Sequence, residues 1–268
     1  ANTGFIKISR FSATTYDEFM EAVEALKKQG MQNLILDLRG NPGGYLDAAT
    51  MLADEFLPDK KLIVYTEGKA RPRKNYYATE KGDFEKGKVF VLIDEGSASA
   101  SEILAGALQD WDRAEIIGRR SFGKGLVQEQ TLFPDGSAMR LTVARYYTPT
   151  GRSIQKPYKN GYMAYEEEVY DRFKHGEMVN ADSTHFNDSL KYTTPGGKIV
   201  YGGGGIMPDV FVPLDTMFSS KYYSDLIRKA ALSEFALTYA DNNRSKLKSA
   251  YTTVENFKKS FNVDDKMM

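Results

Sequence analysis

The chain has no cysteine, and its 268 residues include only two histidines, His175 and His185, and one tryptophan. Without cysteine there is no disulfide, no thiolate metal site and no thiol nucleophile. That absence says little about redox compartment, since both kinds tolerate a cysteine-free protein. The histidines lie in polar, loop-like sequence with no supporting ligand pattern, so they read as surface side chains and no metal site is expected. A hydrolase built on this sequence must find its base in lysine. An excess of one charge is also missing: 36 basic residues balance 36 acidic ones, which removes the electrostatic case for nucleic acid or an anionic membrane as partner. No run approaches the roughly 18 apolar residues of a membrane span. The start, Ala1-Asn2-Thr3-Gly4, has neither the basic nor the apolar part of a signal peptide, so a leader is missing or already removed.

The length suits one α/β core with an embellishment. Strands are predicted at 5–8, 34–38, 61–66, 88–93 and 115–118. Between them, helical spacing follows a capping box at Thr15-Tyr16-Asp17-Glu18, runs from Leu46 to Phe56, and returns at about 99–111. This is the rhythm of repeated β-α units. From Gly125 the pattern becomes an antiparallel hairpin, Leu126 to Leu132 and Met139 to Val143, around Pro134-Asp135-Gly136. Residues 150–197 read as a polar, aromatic insertion with one helix near 164–173. The core is expected to resume at Lys198-Ile199-Val200-Tyr201. The predicted division is a core over 1–216 and a helical extension over 217–268, whose strongest periodic run is Leu226, Ile227, Ala230, Ala231, Phe235 and Leu237.

Two neighbouring segments carry the chemistry. Gly96-Ser97-Ala98-Ser99-Ala100-Ser101-Glu102-Ile103 opens a helix, and Ser121-Phe122-Gly123-Lys124-Gly125-Leu126-Val127-Gln128 opens a strand. A serine hydroxyl needs a base at neutral pH, and a lysine made neutral by burial can serve. Lys124 sits between two glycines that allow close backbone approach. Ser99 stands at a helix start, where free N–H groups and the positive end of the macrodipole face any developing negative charge. The commoner role of such a serine is to cap, and Ser99-Ala100-Ser101-Glu102 is also a capping box. The turn Arg39-Gly40-Asn41-Pro42-Gly43-Gly44 lacks the lysine of a phosphate loop and is an oxyanion-hole candidate instead. The four glycines at 202–205 read as a close-approach segment. Tyr146, Tyr147, Tyr222 and Tyr223 read as packing aromatics.

Taken together, the segments resemble the S41 peptidases, the C-terminal processing or tail-specific proteases. The matching landmarks are Asp37-Leu38-Arg39-Gly40-Asn41-Pro42-Gly43-Gly44, the 96–103 and 122–128 segments, Tyr147-Thr148-Pro149 and Gly204-Gly205-Ile206-Met207-Pro208-Asp209, in the family's order. The resemblance implies a crotonase- or Clp-protease-like stack of β-β-α units. It implies Ser99 as nucleophile, Lys124 as general base and Gln128 as the residue that orients the lysine. It also implies an oxyanion hole from the backbone N–H of Ala100 and of Gly43 or Gly44, with Gly44 favoured.

The activity implied is that of a serine endopeptidase cleaving protein substrates near their C-terminus, with no cofactor. Protein or peptide substrates are the implied partners, and the location an exported one, the bacterial periplasm or cell envelope. Family members commonly carry a PDZ domain before the strand that here begins at Phe5, so an upstream PDZ module is expected in the precursor. Two other classes compete. A non-catalytic carrier of apolar ligands on the same fold would not react with a serine-directed acylating probe. A crotonase-type acyl-CoA enzyme would bind coenzyme A and offer a carboxylate in place of Ser99 and Lys124.

Overall fold

The computed structural model describes residues 2–79, 82–158, 161–183, 188–216, 220–264 and 267. They form two compact units, Ala1–Leu214 and Asp215–Met268. The first is mixed α/β, with elements β1 (Thr3–Lys7), α1 (Thr15–Lys28), β2 (Asn33–Asp37), α2 (Leu46–Asp54), β3 (Leu62–Gly68), β4 (Arg71–Tyr77), β5 (Val89–Ile93), α3 (Ala100–Asp110), β6 (Glu115–Gly118), β7 (Leu126–Leu132), β8 (Ala138–Tyr147), α4 (Gly161–Lys174), β9 (Lys191–Thr193), β10 (Ile199–Tyr201) and β11 (Val210–Phe211).

A five-stranded sheet runs β1-β2-β5-β6-β11, with every neighbouring pair parallel. A four-stranded antiparallel sheet runs β4-β3-β8-β7. Alternation sets the buried face of the parallel sheet. Leu34, Leu36 and Leu38, with Val89, Val91 and Ile93, are all buried, while Ile35, Phe90 and Leu92 between them are less covered. Helix α3 is buried along its full length: most of its residues are apolar or small, and its polar Glu102, Gln109 and Asp110 are each hydrogen-bonded. Gly106 on α3 lets the chain pack closely: a Cβ there would lie 2.8 Å from Thr148 and 3.0 Å from Ile206.

Several boundaries differ from expectation. Helix α1 starts one residue earlier in the capping sense: Thr14 flanks it and its hydroxyl donates to Glu18, while the Thr15 hydroxyl accepts the Ser12 N–H. The edge strand β4 escaped prediction because Arg71-Pro72-Arg73-Lys74 is polar and exposed, with no apolar alternation to mark it. Residues 198–201 bring Val200 into the buried set but add no strand to the parallel sheet. Strand β10 pairs only with β9, and the chain rejoins the parallel sheet at β11. The 202–205 glycines are close-approach positions: a Cβ at Gly205 would lie 2.7 Å from the Ser121 carbonyl oxygen.

The second unit holds α5 (Lys221–Arg228), α6 (Ala231–Asn242), α7 (Arg244–Ala250) and α8 (Val254–Ser260). The expected single periodic run is split between α5 and α6 at Ala230, whose φ of 52° is left-handed. Tyr222 and Tyr223 are exposed, so they are not the packing aromatics expected. Phe235, Tyr239, Tyr251, Phe257 and Phe261 supply the ring contacts of this unit. No helix among the described residues is long and apolar enough to cross a membrane.

At the end of α3, Asp110 and Arg152 form an ion pair with both side chains fully buried. The guanidinium also reaches the Gln109 side chain and the Tyr201 carbonyl, and Asp110 accepts both the N–H and the hydroxyl of Thr150. Arg152→Met should destabilise this unit by about 3–5 kcal/mol, because Asp110 stays buried without its counter-charge. Urea unfolding of the variant against the parent chain measures the loss.

Candidate active site

The turn after β2 is built to lie flat on the start of α3. Burial pushes the Asp37 carboxyl up, but the Arg39 guanidinium and backbone N–H outweigh this and hold it below the usual range. Asn41 is fully buried; its amide donates to the Ile8 carbonyl at 2.7 Å, and its carbonyl accepts the Ala98 N–H and the Ser101 hydroxyl. Gly43 has φ 93°, and a Cβ on it would lie 2.7 Å from Ser99 Cβ and 2.8 Å from the Ala100 nitrogen. Only glycine permits that approach. The Gly43 N–H is taken by the Asn41 side chain at 2.9 Å. The N–H groups of Gly44 and Ala100 have no acceptor among the described residues.

The three serines of the 96–103 segment have different fates. The Ser97 hydroxyl donates to the Leu38 carbonyl at 2.8 Å and that of Ser101 to the Asn41 carbonyl at 3.0 Å, both fully buried. Ser99 is half-buried, with backbone at φ 56° and ψ −113°. A non-glycine residue held there stores about 1–3 kcal/mol of strain, a pattern that clusters at functional sites.

Glu102, one turn into α3, joins the two chemical segments. Its carboxylate is fully buried. One oxygen accepts both the Ser99 N–H and the Lys124 N–H, each at 2.8 Å. The other accepts the Gly123 N–H at 2.7 Å and the Ser121 hydroxyl at 2.5 Å. Burial pushes the Glu102 carboxyl up from its ordinary value, and the four donors oppose the rise. The capping box foreseen in the sequence is therefore present, and its glutamate extends it to a second stretch of chain. Tyr146 completes the junction: its hydroxyl donates to the Lys124 carbonyl and faces the Ser99 side chain. Burial raises the Tyr146 phenol well above its ordinary value, the Glu102 charge adds to the rise, and the Ser99 hydroxyl pulls against it.

Lys124 precedes β7 by two residues and Gln128 lies on it, paired with Thr142 just past an irregularity in the ladder. Both side chains line a cleft of about 730 Å³, with Pro42, Gly96 and Ala98 on one side. Phe122, Tyr158, Tyr162 and Tyr165 form its aromatic wall. That size and lining suit a ligand that is mostly apolar with a few polar contacts. His175 is exposed on the insertion, away from this lining, and His185 lies outside the described residues. No cluster of potential metal ligands occurs among the described residues.

Sequence reasoning missed Glu102 as a link between segments, Tyr146 as more than packing, and the α4 tyrosines as a cleft wall. The first had a signal, the glutamate three residues after Ser99. The other two depend on contacts remote in sequence.

Glu102→Ala should strand donors that water cannot reach, at roughly 1–3 kcal/mol for each, so a loss of more than about 3 kcal/mol is expected in urea unfolding. Ser97→Ala and Ser101→Ala should each cost about 1 kcal/mol through a lost buried hydrogen bond, and Ser99→Ala less than either. If Ser99→Ala proves the most destabilising of the three, the serine is a structural cap.

The sequence pattern of Peptidase family S41 matches residues 2–161, and that of a family of unknown function, DUF8443, matches residues 222–268. The carboxyl-terminal-processing protease of Synechocystis sp. is 37% identical over 205 residues, 76% of this chain and 47% of that protein. The carboxy-terminal-processing protease of Bartonella bacilliformis is 43% identical over 157 residues, 57% of this chain and 36% of that protein. Among solved structures, the photosystem II D1 C-terminal processing protease superposes with a TM-score of 0.55 at 30% identity, covering 78% of this chain and 42% of that one. The chain thus spans less than half the length of these relatives. With the family pattern covering well over half of it, the chain belongs to peptidase family S41.

Proposed function

We propose that this chain carries the catalytic part of a serine endopeptidase that works through Ser99 and Lys124. The observation that supports it most is the shared Glu102 oxygen, which ties the backbones of the half-buried, strained Ser99 and of Lys124 to one point. In this reading the Lys124 amine takes the proton of Ser99 Oγ as that oxygen attacks a peptide carbonyl. The negative charge on the carbonyl oxygen is met by the N–H groups of Ala100 and Gly44. The tetrahedral species collapses to an acyl-enzyme, and the lysine ammonium gives its proton to the departing amine. Water, deprotonated by the same lysine, then releases the acid and regenerates the serine. Gln128, on the wall of the same cleft, steadies the lysine side chain.

The substrate class is an extended polypeptide, cut near its C-terminus as the relatives' names describe for those proteins. The aromatic wall fits an apolar side chain beside the cleaved bond. The parallel sheet flanked by a separate antiparallel one is consistent with a crotonase- or Clp-protease-like stack of β-β-α units.

Incubation of an unfolded protein with the chain, read by mass spectrometry, tests this. Cleavage is expected with the parent chain and none with Ser99→Ala; cleavage by Ser99→Ala would overturn the nucleophile. Lys124→Arg should be as inactive as Lys124→Ala, because a guanidinium keeps the charge but does not act as a base. Gln128→Ala should reduce turnover less than either. Substantial turnover by Lys124→Arg would reassign the lysine to an electrostatic role.

A further inference from the structure

All but the first residue of helix α4 lies past the segment that the S41 pattern matches, yet the helix grips the stretch that leads into Lys124. Arg172 is buried, and its guanidinium donates to the Ser121 carbonyl at 2.7 Å and the Phe122 carbonyl at 3.2 Å. Its remaining edge donates from Nε to Glu168 at 2.7 Å, one turn back on the same helix. Glu168 also pairs at 3.2 Å with the buried Lys156, whose ammonium lies 3.8 Å from the Phe122 ring centroid and 4.3 Å from that of Tyr165. The Lys156 backbone N–H in turn donates to the Gly123 carbonyl at 2.9 Å.

The consequence is a loop clamped along both edges. The N–H groups of Gly123 and Lys124 and the Ser121 hydroxyl go to Glu102 on α3. The carbonyls of Ser121, Phe122 and Gly123 go to Arg172 and Lys156. A Gly-Lys-Gly segment has little conformational preference of its own, so its shape is set by these partners. Arg172 is buried and is not among the residues that line the cleft. A buried guanidinium is tolerated only when its donors are met, and here the loop carbonyls meet them.

We propose that Arg172 is a positioning residue: through the carbonyls of Ser121 and Phe122, α4 holds the loop in the shape that aims Lys124 at Ser99. This rests on the reading of Lys124 as the base. Its effect belongs in kcat, since a displacement of about 1 Å at a reacting group can cost roughly 100-fold while substrate contacts are unchanged.

Two measurements on the full chain test it: hydrogen exchange across residues 121–125, and peptide hydrolysis resolved into kcat and KM. In Arg172→Met the exchange of that segment should speed at least about tenfold as local opening becomes easier, with α3 unchanged. Turnover should fall about 10- to 100-fold with KM within about threefold. Arg172→Lys, which keeps the charge but not the two-carbonyl fork, should recover part of kcat. Unchanged exchange in a folded Arg172→Met overturns the brace. Faster exchange with kcat intact, or a loss confined to KM, overturns the positioning role. Should Arg172→Met fail to fold, Glu168→Gln, which weakens the hold on Arg172 Nε together with the pair to Lys156, must give the same pattern at smaller size or the proposal fails. If the parent chain does not hydrolyse peptides, the peptidase reading falls and with it the positioning role, while the exchange arm still decides whether α4 braces the loop.

Discussion

The Glu102 carboxylate is the interaction on which the candidate site depends. It accepts from Ser99 and Lys124 through one oxygen and from Gly123 and Ser121 through the other, inside a helix with no exposure to water. A buried carboxylate is unfavourable unless its lone pairs are filled, and here filling them requires two stretches of chain some twenty residues apart to stay in register. The same contacts that make the burial tolerable fix where the serine and the lysine begin.

Around that point the chain spends conformational freedom rather than charge. Gly43 and Gly44 hold backbone that side chains disfavour, so the turn can press on the start of α3. Ser99 holds left-handed φ without that excuse, kept there by the bonds on either side of it: Ala98 N–H to Asn41, and Ser99 N–H to Glu102. Ser97 and Ser101 are consumed in fastening the segment, which leaves the middle hydroxyl as the accessible one.

The insertion is more than an appendage. Its tyrosines wall the cleft, and Arg172 and Glu168 reach beneath them to the lysine loop. One helix therefore both shapes the space beside the candidate nucleophile and holds the backbone that carries the candidate base. The mixed charges of Arg120, Arg172, Lys156, Glu168 and Glu177 allow Arg172 and Lys156 to be buried, because each ion has an opposite partner close by.

Local sequence determined what local physics controls. Short apolar runs at Leu34 to Leu38 and Val89 to Ile93 marked strands, and helical spacing marked α3. Glycines marked the turn, the absence of cysteine and the scarcity of histidine left lysine as the base, and the resemblance to the S41 peptidases singled out Ser99 and Lys124. Other features were decided by pairing between distant segments. β4 is a strand because β3 offers it an edge, and β10 stays out of the parallel sheet because β9 is its partner. That Ser97 and Ser101 are tied up, to the Leu38 and Asn41 carbonyls, is one such feature. Arg172, an unremarkable basic residue in a polar helix, becomes part of the site only when α4 folds onto the Ser121 and Phe122 carbonyls. Periodicity and propensity are short-range properties and are written in the sequence. Which donor meets which acceptor across the fold is a matter of packing, which no short stretch of sequence specifies.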